Sequence, residues 1–239
     1  MIGTLALMLM AQTPQTQQTQ QWPQHSMDRP RPHVVNPGPP PSDAVVLFDG
    51  SNLNQWRSGD SLPAKWTVRD GYVEVNPGTG TLSTARGFGD VQLHIEWATP
   101  AVVKGESQER GNSGIFLMGI YELQVLDSYQ NDTYPDGQAG AVYGENPPLV
   151  NPTRPPGQWQ AYDIIFHRPH FKADGTLESP ARMTVLLNGV LIQDNFALVG
   201  PTANQARPPY RAHADKLPLK LQDHGNPVRY RNIWVRELE

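Results

Sequence analysis

Cysteine is absent from this 239-residue chain, so neither a disulfide framework nor a thiolate metal site can hold it together, and stability has to come from a packed core. An excess of positive charge is missing too. Lys and Arg total 19 against 23 Asp and Glu, giving a net charge of -4, and no basic cluster could replace the counterions along a phosphate backbone. Nucleic acid is therefore not an expected partner. No apolar run approaches the roughly 20 residues of a membrane-spanning helix, and neither amphipathic helical spacing nor an internal repeat is apparent.

Glycine (21) and proline (24), by contrast, are abundant while charged residues make up only 18%, a balance suited to many short strands joined by tight turns and ordered loops. Residues 1–12, MIGTLALMLMAQ, form an apolar run that suits the h-region of a secretory signal although the positive n-region is lacking, so a secreted or periplasmic location is expected. Residues 13–43 are rich in Gln and Pro and lack the periodic apolar positions that offset ordering entropy; they read as a disordered tether. One folded domain is expected over 44–239.

Within it, WTVRDGYVEVN (66–76) holds two β-rich runs around Arg69-Asp70-Gly71, a hairpin signal. In VQLHIEW (91–97), Val91, Leu93, Ile95 and Trp97 share one face while Gln92, His94 and Glu96 share the other. Further strands are expected over 114–118, 120–126, 158–167, 181–188, 219–222 and 228–238. Near the last of these, Tyr230, Ile233 and Val235 break simple alternation, which predicts a bulge around Arg231-Asn232. About ten strands with one polar face each predict an all-β, two-sheet antiparallel sandwich of jelly-roll kind.

The segment YELQVLD (121–127) is the most informative. Alternation turns Tyr121, Leu123 and Val125 inward and Glu122 and Gln124 to the opposite face; Asp127 joins that face only if the strand is bulged. The i, i+2, i+5 spacing is similar to that of jelly-roll glycosidases of the laminarinase type, with Gln124 standing in the middle acidic place. RGNSG (110–114) reads as a loop in which Arg110 and Asn112 offer donors to ligand oxygens. Gln222-Asp223-His224-Gly225 ends a strand, and His224 is the histidine best placed for proton transfer. His94, His167 and His170 have no such setting and read as structural or surface residues. Asp163, Glu96 and Lys220 fall on polar strand faces. Tyr129, Tyr134 and Tyr143 lie in loops where stacking on sugar could occur, and Asp and Asn residues over 130–137 could ligate calcium, with no metal assigned.

Taken in order, LFDGSNLNQW (47–56), W-x-V-x-D-G (66–71), RGNSGIFL (110–117), YELQVLDS (121–128), AGAVYG (139–144), GQWQAYDI (157–164), LNG (187–189), LQDHG (221–225) and VRYRNIWVREL (228–238) resemble the 3-keto-disaccharide hydrolase family. The likeness covers nearly all of 44–239 and departs from the family at Met118-Gly119, where an Arg often stands. It implies a concanavalin-like sandwich with sugar on its concave face, and activity on glycosides already oxidised at ring carbon 3 by a separate sugar 3-oxidoreductase. A ketone there acidifies the hydrogen on carbon 2, so a base can remove it, the enolate expels the glycosidic oxygen from carbon 1, and water adds back. On this reading Glu122 or Asp127 serves as acid or base, His224 is the second proton carrier, and Arg110, Asn112, Gln124, Gln222 and Asp223 hold substrate oxygens. The alternatives are a conventional jelly-roll glycosidase, which needs two suitably separated carboxylates, and a non-catalytic carbohydrate-binding module.

Overall fold

The computed structural model describes residues 24, 26–29, 31, 32, 34–59 and 62–238. The chain divides into two units, 1–35 and 36–239. In the first, Arg29 N donates to Ser26 O at 3.4 Å; the signal-like run over 1–12 and residues 13–23, 25, 30 and 33 of the tether lie outside the described residues. In the second, an ordered lead-in is tied by Ser42 N donating to Asn36 O at 3.1 Å.

Sixteen strands follow among the described residues. They are β1 (Val45–Phe48), β2 (Trp56–Ser58), β3 (Leu62–Pro63), β4 (Thr67–Arg69), β5 (Tyr72–Glu74), β6 (Leu82–Phe88), β7 (Val91–Ala98), β8 (Ser113–Leu117) and β9 (Tyr121–Val125). After them come β10 (Gln160–His167), β11 (His170–Phe171), β12 (Leu177–Ser179), β13 (Arg182–Leu187), β14 (Val190–Ala197), β15 (Leu217–Leu221) and β16 (Arg229–Glu237). One sheet runs β14-β13-β10-β7-β16-β5-β4, with β1 also paired to β16; the other runs β3-β2-β6-β15-β8-β9; β11 and β12 form a separate hairpin. The two large sheets make an antiparallel β-sandwich of the jelly-roll kind.

Local chemistry explains the strands. Asp70 (φ 50°) and Gly71 (φ 78°) both take the left-handed conformation that a two-residue hairpin turn requires, and β4 and β5 flank them. β7 alternates as its sequence demands, with Val91, Leu93, Ile95 and Trp97 buried. In β16 the pairing with β7 slips between Arg231 and Trp234, with Asn232 at φ 46°, so the expected bulge is present. Two long strands have no clear signal in the sequence. β6 reads LSTARGF, and its Gly87 is pressed so close to the next strand that an added Cβ would lie 2.8 Å from the Lys216 carbonyl carbon. β14 reads VLIQDNFA and pairs with β13 through two register shifts.

The sheets are joined through the core. Tyr121 of one and Phe166 of the other lie 5.7 Å apart between ring centroids. The buried hydroxyl of Tyr230 donates to Ser113 Oγ at 2.7 Å, and that of Tyr162 to Gln124 O at 2.8 Å, both across the sandwich. In the six-stranded sheet, Ser58, Leu82, Leu221, Ile115 and Leu123 are cross-strand neighbours on the inward face, and all are buried. The adjacent row, Arg57, Ser83, Lys220, Phe116 and Glu122, consequently points away from the core.

Candidate active site

Glu122 sits on that outward face yet is only 7% exposed. β9 is the last strand of its sheet, and the chain after it folds back over the strand: Tyr143 N donates to Glu122 O at 3.2 Å and Gln124 N to Ala141 O at 3.0 Å. From the other direction, Glu122 N donates to Thr202 Oγ1 at 2.9 Å. Opposite on β8, Gly114 leaves room for the carboxyl, since a Cβ there would stand 2.3 Å from Glu122 Oε1 and 2.9 Å from the Phe116 ring. Among the described residues no hydrogen bond or ion pair reaches the carboxyl group. Burial without a compensating charge pushes its pKa up to about 8.

The carboxyl faces a cavity of about 270 Å³ whose wall includes Asn112, Phe116, Gln124, Gln222 and His224, with Tyr143 and residues 202–204 from the loops. Its floor is polar and held by neighbours. Gln124 Nε2 donates to Gln108 Oε1 at 2.9 Å, and Asn112 Nδ2 donates to Gln108 O at 2.7 Å. Two amide oxygens are left over: Gln124 Oε1 and Gln222 Oε1 are buried without a hydrogen-bond partner. Buried acceptors are rarely left so, and ligand hydroxyls would satisfy both. A proton-bearing carboxyl, an imidazole and spare acceptors thus surround a space that can take a polyhydroxylated ring.

Five of the expected residues therefore meet: Glu122, Gln124, Asn112, Gln222 and His224. Three do not join them. β9 pairs with β8 in unbroken register and carries no bulge, so Asp127 lies past the strand end rather than on the face of Glu122. There its carboxylate accepts from Arg110 Nη2 at 2.6 Å and Nε at 3.0 Å, while Arg110 also donates to Tyr129 O and Gln130 O at 3.2 Å. Both residues border a different hollow of about 430 Å³. Asp223 accepts from Gly80 N at 3.0 Å and Gly225 N at 2.9 Å, which occupies it in shaping turns.

The polar faces noted in the sequence separate likewise. His94, Asp163 and Glu96 lie on the outward face of the eight-stranded sheet, where His94 Nδ1 is 2.6 Å from Asp163 Oδ1 and its ring stacks on Trp234 at 5.2 Å. No partner for His94 is visible along the chain because Asp163 is 69 positions away and meets it only through the β7–β10 register. Over 130–137, Asn131 spends its amide on Ser107 O and Asp127 O, and among the described residues no group of three His, Asp or Glu side chains is arranged to hold a metal ion. Phe116, Thr202 and Asn204 are wall residues that sequence reasoning missed. Phe116 stood within the noted 110–117 segment and alternates with buried Ile115 and Leu117, which was a usable signal; the loop over 202–204 carried none.

Comparison with known proteins agrees with this architecture. The family model described as a 3-keto-alpha-glucoside-1,2-lyase-like domain matches residues 43–236. A 3-keto-disaccharide hydrolase of Bacteroides thetaiotaomicron is 28% identical over 242 residues, covering 82% of this chain and 78% of that protein. A crystal structure of a glycosyl hydrolase candidate from Parabacteroides distasonis is 45% identical with a TM-score of 0.86, covering 90% of this chain and 95% of that one. A second structure from the same organism, 19% identical with a TM-score of 0.61 over 82% of this chain and 94% of that one, shares the fold. The chain belongs to the 3-keto-disaccharide hydrolase family, whose domain is the 3-keto-alpha-glucoside-1,2-lyase-like sandwich.

Proposed function

We propose that this protein is a carbohydrate hydrolase that cleaves glycosides carrying a ketone at ring carbon 3, by elimination followed by hydration. The observation that carries the reading is the cavity shared by Glu122 and His224, in which the carboxyl is buried without a counter-charge. With a pKa of about 8, Glu122 keeps its proton in about nine molecules of ten at pH 7. It is thereby suited to protonate the departing glycosidic oxygen. His224 takes the proton from carbon 2, which the neighbouring ketone has acidified.

The electrons of that C–H bond form the enolate, and the enolate expels the oxygen from carbon 1 as an alcohol, leaving a double bond between carbons 1 and 2. The free acceptors of Gln124 and Gln222 take sugar hydroxyls, and Asn112, whose Nδ2 donates to Gln108 O at 2.7 Å and to Gln108 Oε1 at 3.4 Å, fixes the wall beside them. Water then adds its hydroxyl to carbon 1 and returns a proton to Glu122, while the exposed His224, whose N–H exchanges with solvent between the two steps, delivers a proton to carbon 2. Glycoside and water become 3-keto sugar and alcohol, and both side chains regain their starting state. The ketone must be supplied beforehand by an oxidoreductase acting on the carbon 3 hydroxyl. Export, supported by the apolar run over 1–12, is a further part of the reading and is checked by cell fractionation.

The deciding experiment incubates the protein with a 3-keto-glucoside and its unoxidised parent in deuterated water. Cleavage of the ketone alone, with deuterium at carbon 2 of the product, is the expected result; equal cleavage of the parent would sink the mechanism. Glu122→Gln is expected to lower turnover about 100-fold or more. A conventional two-carboxylate glycosidase is disfavoured by the engagement of Asp127 with Arg110.

A further inference from the structure

The outward row of the six-stranded sheet does not stop at Glu122. Phe116 is its direct neighbour on β8, Lys220 is the neighbour of Phe116 on β15, Ser83 that of Lys220 on β6, and Arg57 that of Ser83 on β2. Neighbouring strands lie about 4.8 Å apart, so the Lys220 backbone stands roughly 10 Å from that of Glu122, with the half-buried Phe116 ring between them. Beyond Phe116 the face opens into two hollows that both touch Lys220 and Ser83, one of about 520 Å³ with Arg57 and one of about 400 Å³ with Lys65.

The charge there is one-sided. Neither hollow has an Asp or Glu among its described wall residues; Asp60 lies outside the described residues. No ion pair engages Lys220, Lys65 or Arg57 among the described residues, and the Arg57 guanidinium donates only to the carbonyls of Asn54 and Trp56. The Lys220 side chain is steered along the surface by Gly119, where a Cβ would come within 2.7 Å of Lys220 Cε. In a chain whose net charge is -4, a cation-lined hollow beside the candidate catalytic cavity, with no Asp or Glu in its described wall and with the nearby Asp223 carboxylate already held by Gly80 N and Gly225 N, marks a place for negative charge.

We propose that this half of the sheet face is a subsite for an acidic sugar unit, one bearing a carboxylate, linked to the sugar held in the Glu122 cavity. The inference rests on the proposed function for what fills that cavity and adds the class of its neighbour. Phe116 offers an apolar ring between the two units, and Lys220 and Lys65 meet the carboxylate, with Arg57 adding positive charge deeper in the row. Lys220 on β15 and Gln222 just past its end thereby divide the face: Gln222 serves the reacting sugar, Lys220 its acidic partner.

Titration calorimetry at low ionic strength compares a glucuronate-containing disaccharide, the neutral disaccharide of the same linkage, and free glucuronate. The acidic disaccharide is expected to bind about tenfold more tightly than the neutral one and more tightly than free glucuronate. That preference should collapse near 1 M salt, where screening acts within about 3 Å, and in the Lys220→Gln, Lys65→Gln double variant; Lys220→Glu should invert it. Equal affinity for acidic and neutral disaccharides, or a preference that survives the double substitution, overturns the subsite. Activity of the double variant on a neutral 3-keto-glucoside is expected to match wild type. Should the wild type cleave no ketone while the acidic preference holds, the reaction fails and the subsite stands; the reverse pattern removes only the subsite.

Discussion

Glu122 holds its proton at neutral pH because nothing charged compensates for taking its carboxylate out of water. The consequence for stability has a definite sign. The folded-state pKa, about 8, stands above the ordinary value of 4.5, so between those limits the folded chain binds a proton that the unfolded chain has released. The contribution is therefore fully present below about pH 4.5, is lost as pH rises towards 8, and changes little above that. Glu122→Gln removes this dependence. The variant is expected to match wild type near pH 4.5 and to be more stable by a few kcal/mol at pH 9, read from urea unfolding at both values; parallel profiles would show that the carboxyl is not buried alone. Its neighbour Gly114 makes the second residue-scale prediction. Gly114→Ala drives a methyl group into the Glu122 carboxyl and the Phe116 ring, so turnover on a 3-keto-glucoside should fall at least about 100-fold while stability drops by about 1–3 kcal/mol, measured by steady-state kinetics and denaturant titration.

At the scale of elements, the straight pairing of β8 with β9 decides which acids can act. Because the register never slips, Glu122 and Gln124 stay on one face and Asp127 leaves the strand to clamp Arg110. This pair is largely shielded, the side chains being 14% and 4% exposed, so removing one partner strands the other. Asp127→Asn is expected to cost about 3 kcal/mol of stability yet to leave turnover per folded molecule near wild type, the opposite pattern to Glu122→Gln. A turnover loss as deep as that of Glu122→Gln would return Asp127 to the chemistry. The hairpin at Asp70-Gly71 and the bulge at Asn232 were legible in the sequence because each is a local matter of backbone conformation and alternation. β6 was not, since its strand character comes from β2 and β15 on its two sides rather than from its own residues.

Over the whole molecule, the sandwich is pinned by buried tyrosine hydroxyls that cross from one sheet to the other. Tyr230→Phe deletes the bond to Ser113 Oγ and is expected to cost about 1–2 kcal/mol; in a double-mutant cycle with Ser113→Ala the two losses should be less than additive, and strict additivity in denaturant titrations would mean the hydroxyl contributes nothing across the interface. The outward face of the six-stranded sheet and the loops that fold over its edge bring residues 112, 122, 202 and 222 to one cavity.

The sequence by itself determined the strand-rich class, the inward face of strands such as β7, the hairpin at Asp70-Gly71, the bulge at Asn232 and the family, because these depend on spacing of two to five residues or on ordered motifs along the chain. Only the tertiary structure decided that Glu122 and His224 share a hollow while Asp127 does not, and that His94 has an acidic partner. Those pairings join positions tens of residues apart, and the register between neighbouring strands, set by packing of the whole sandwich, determines which side chains meet.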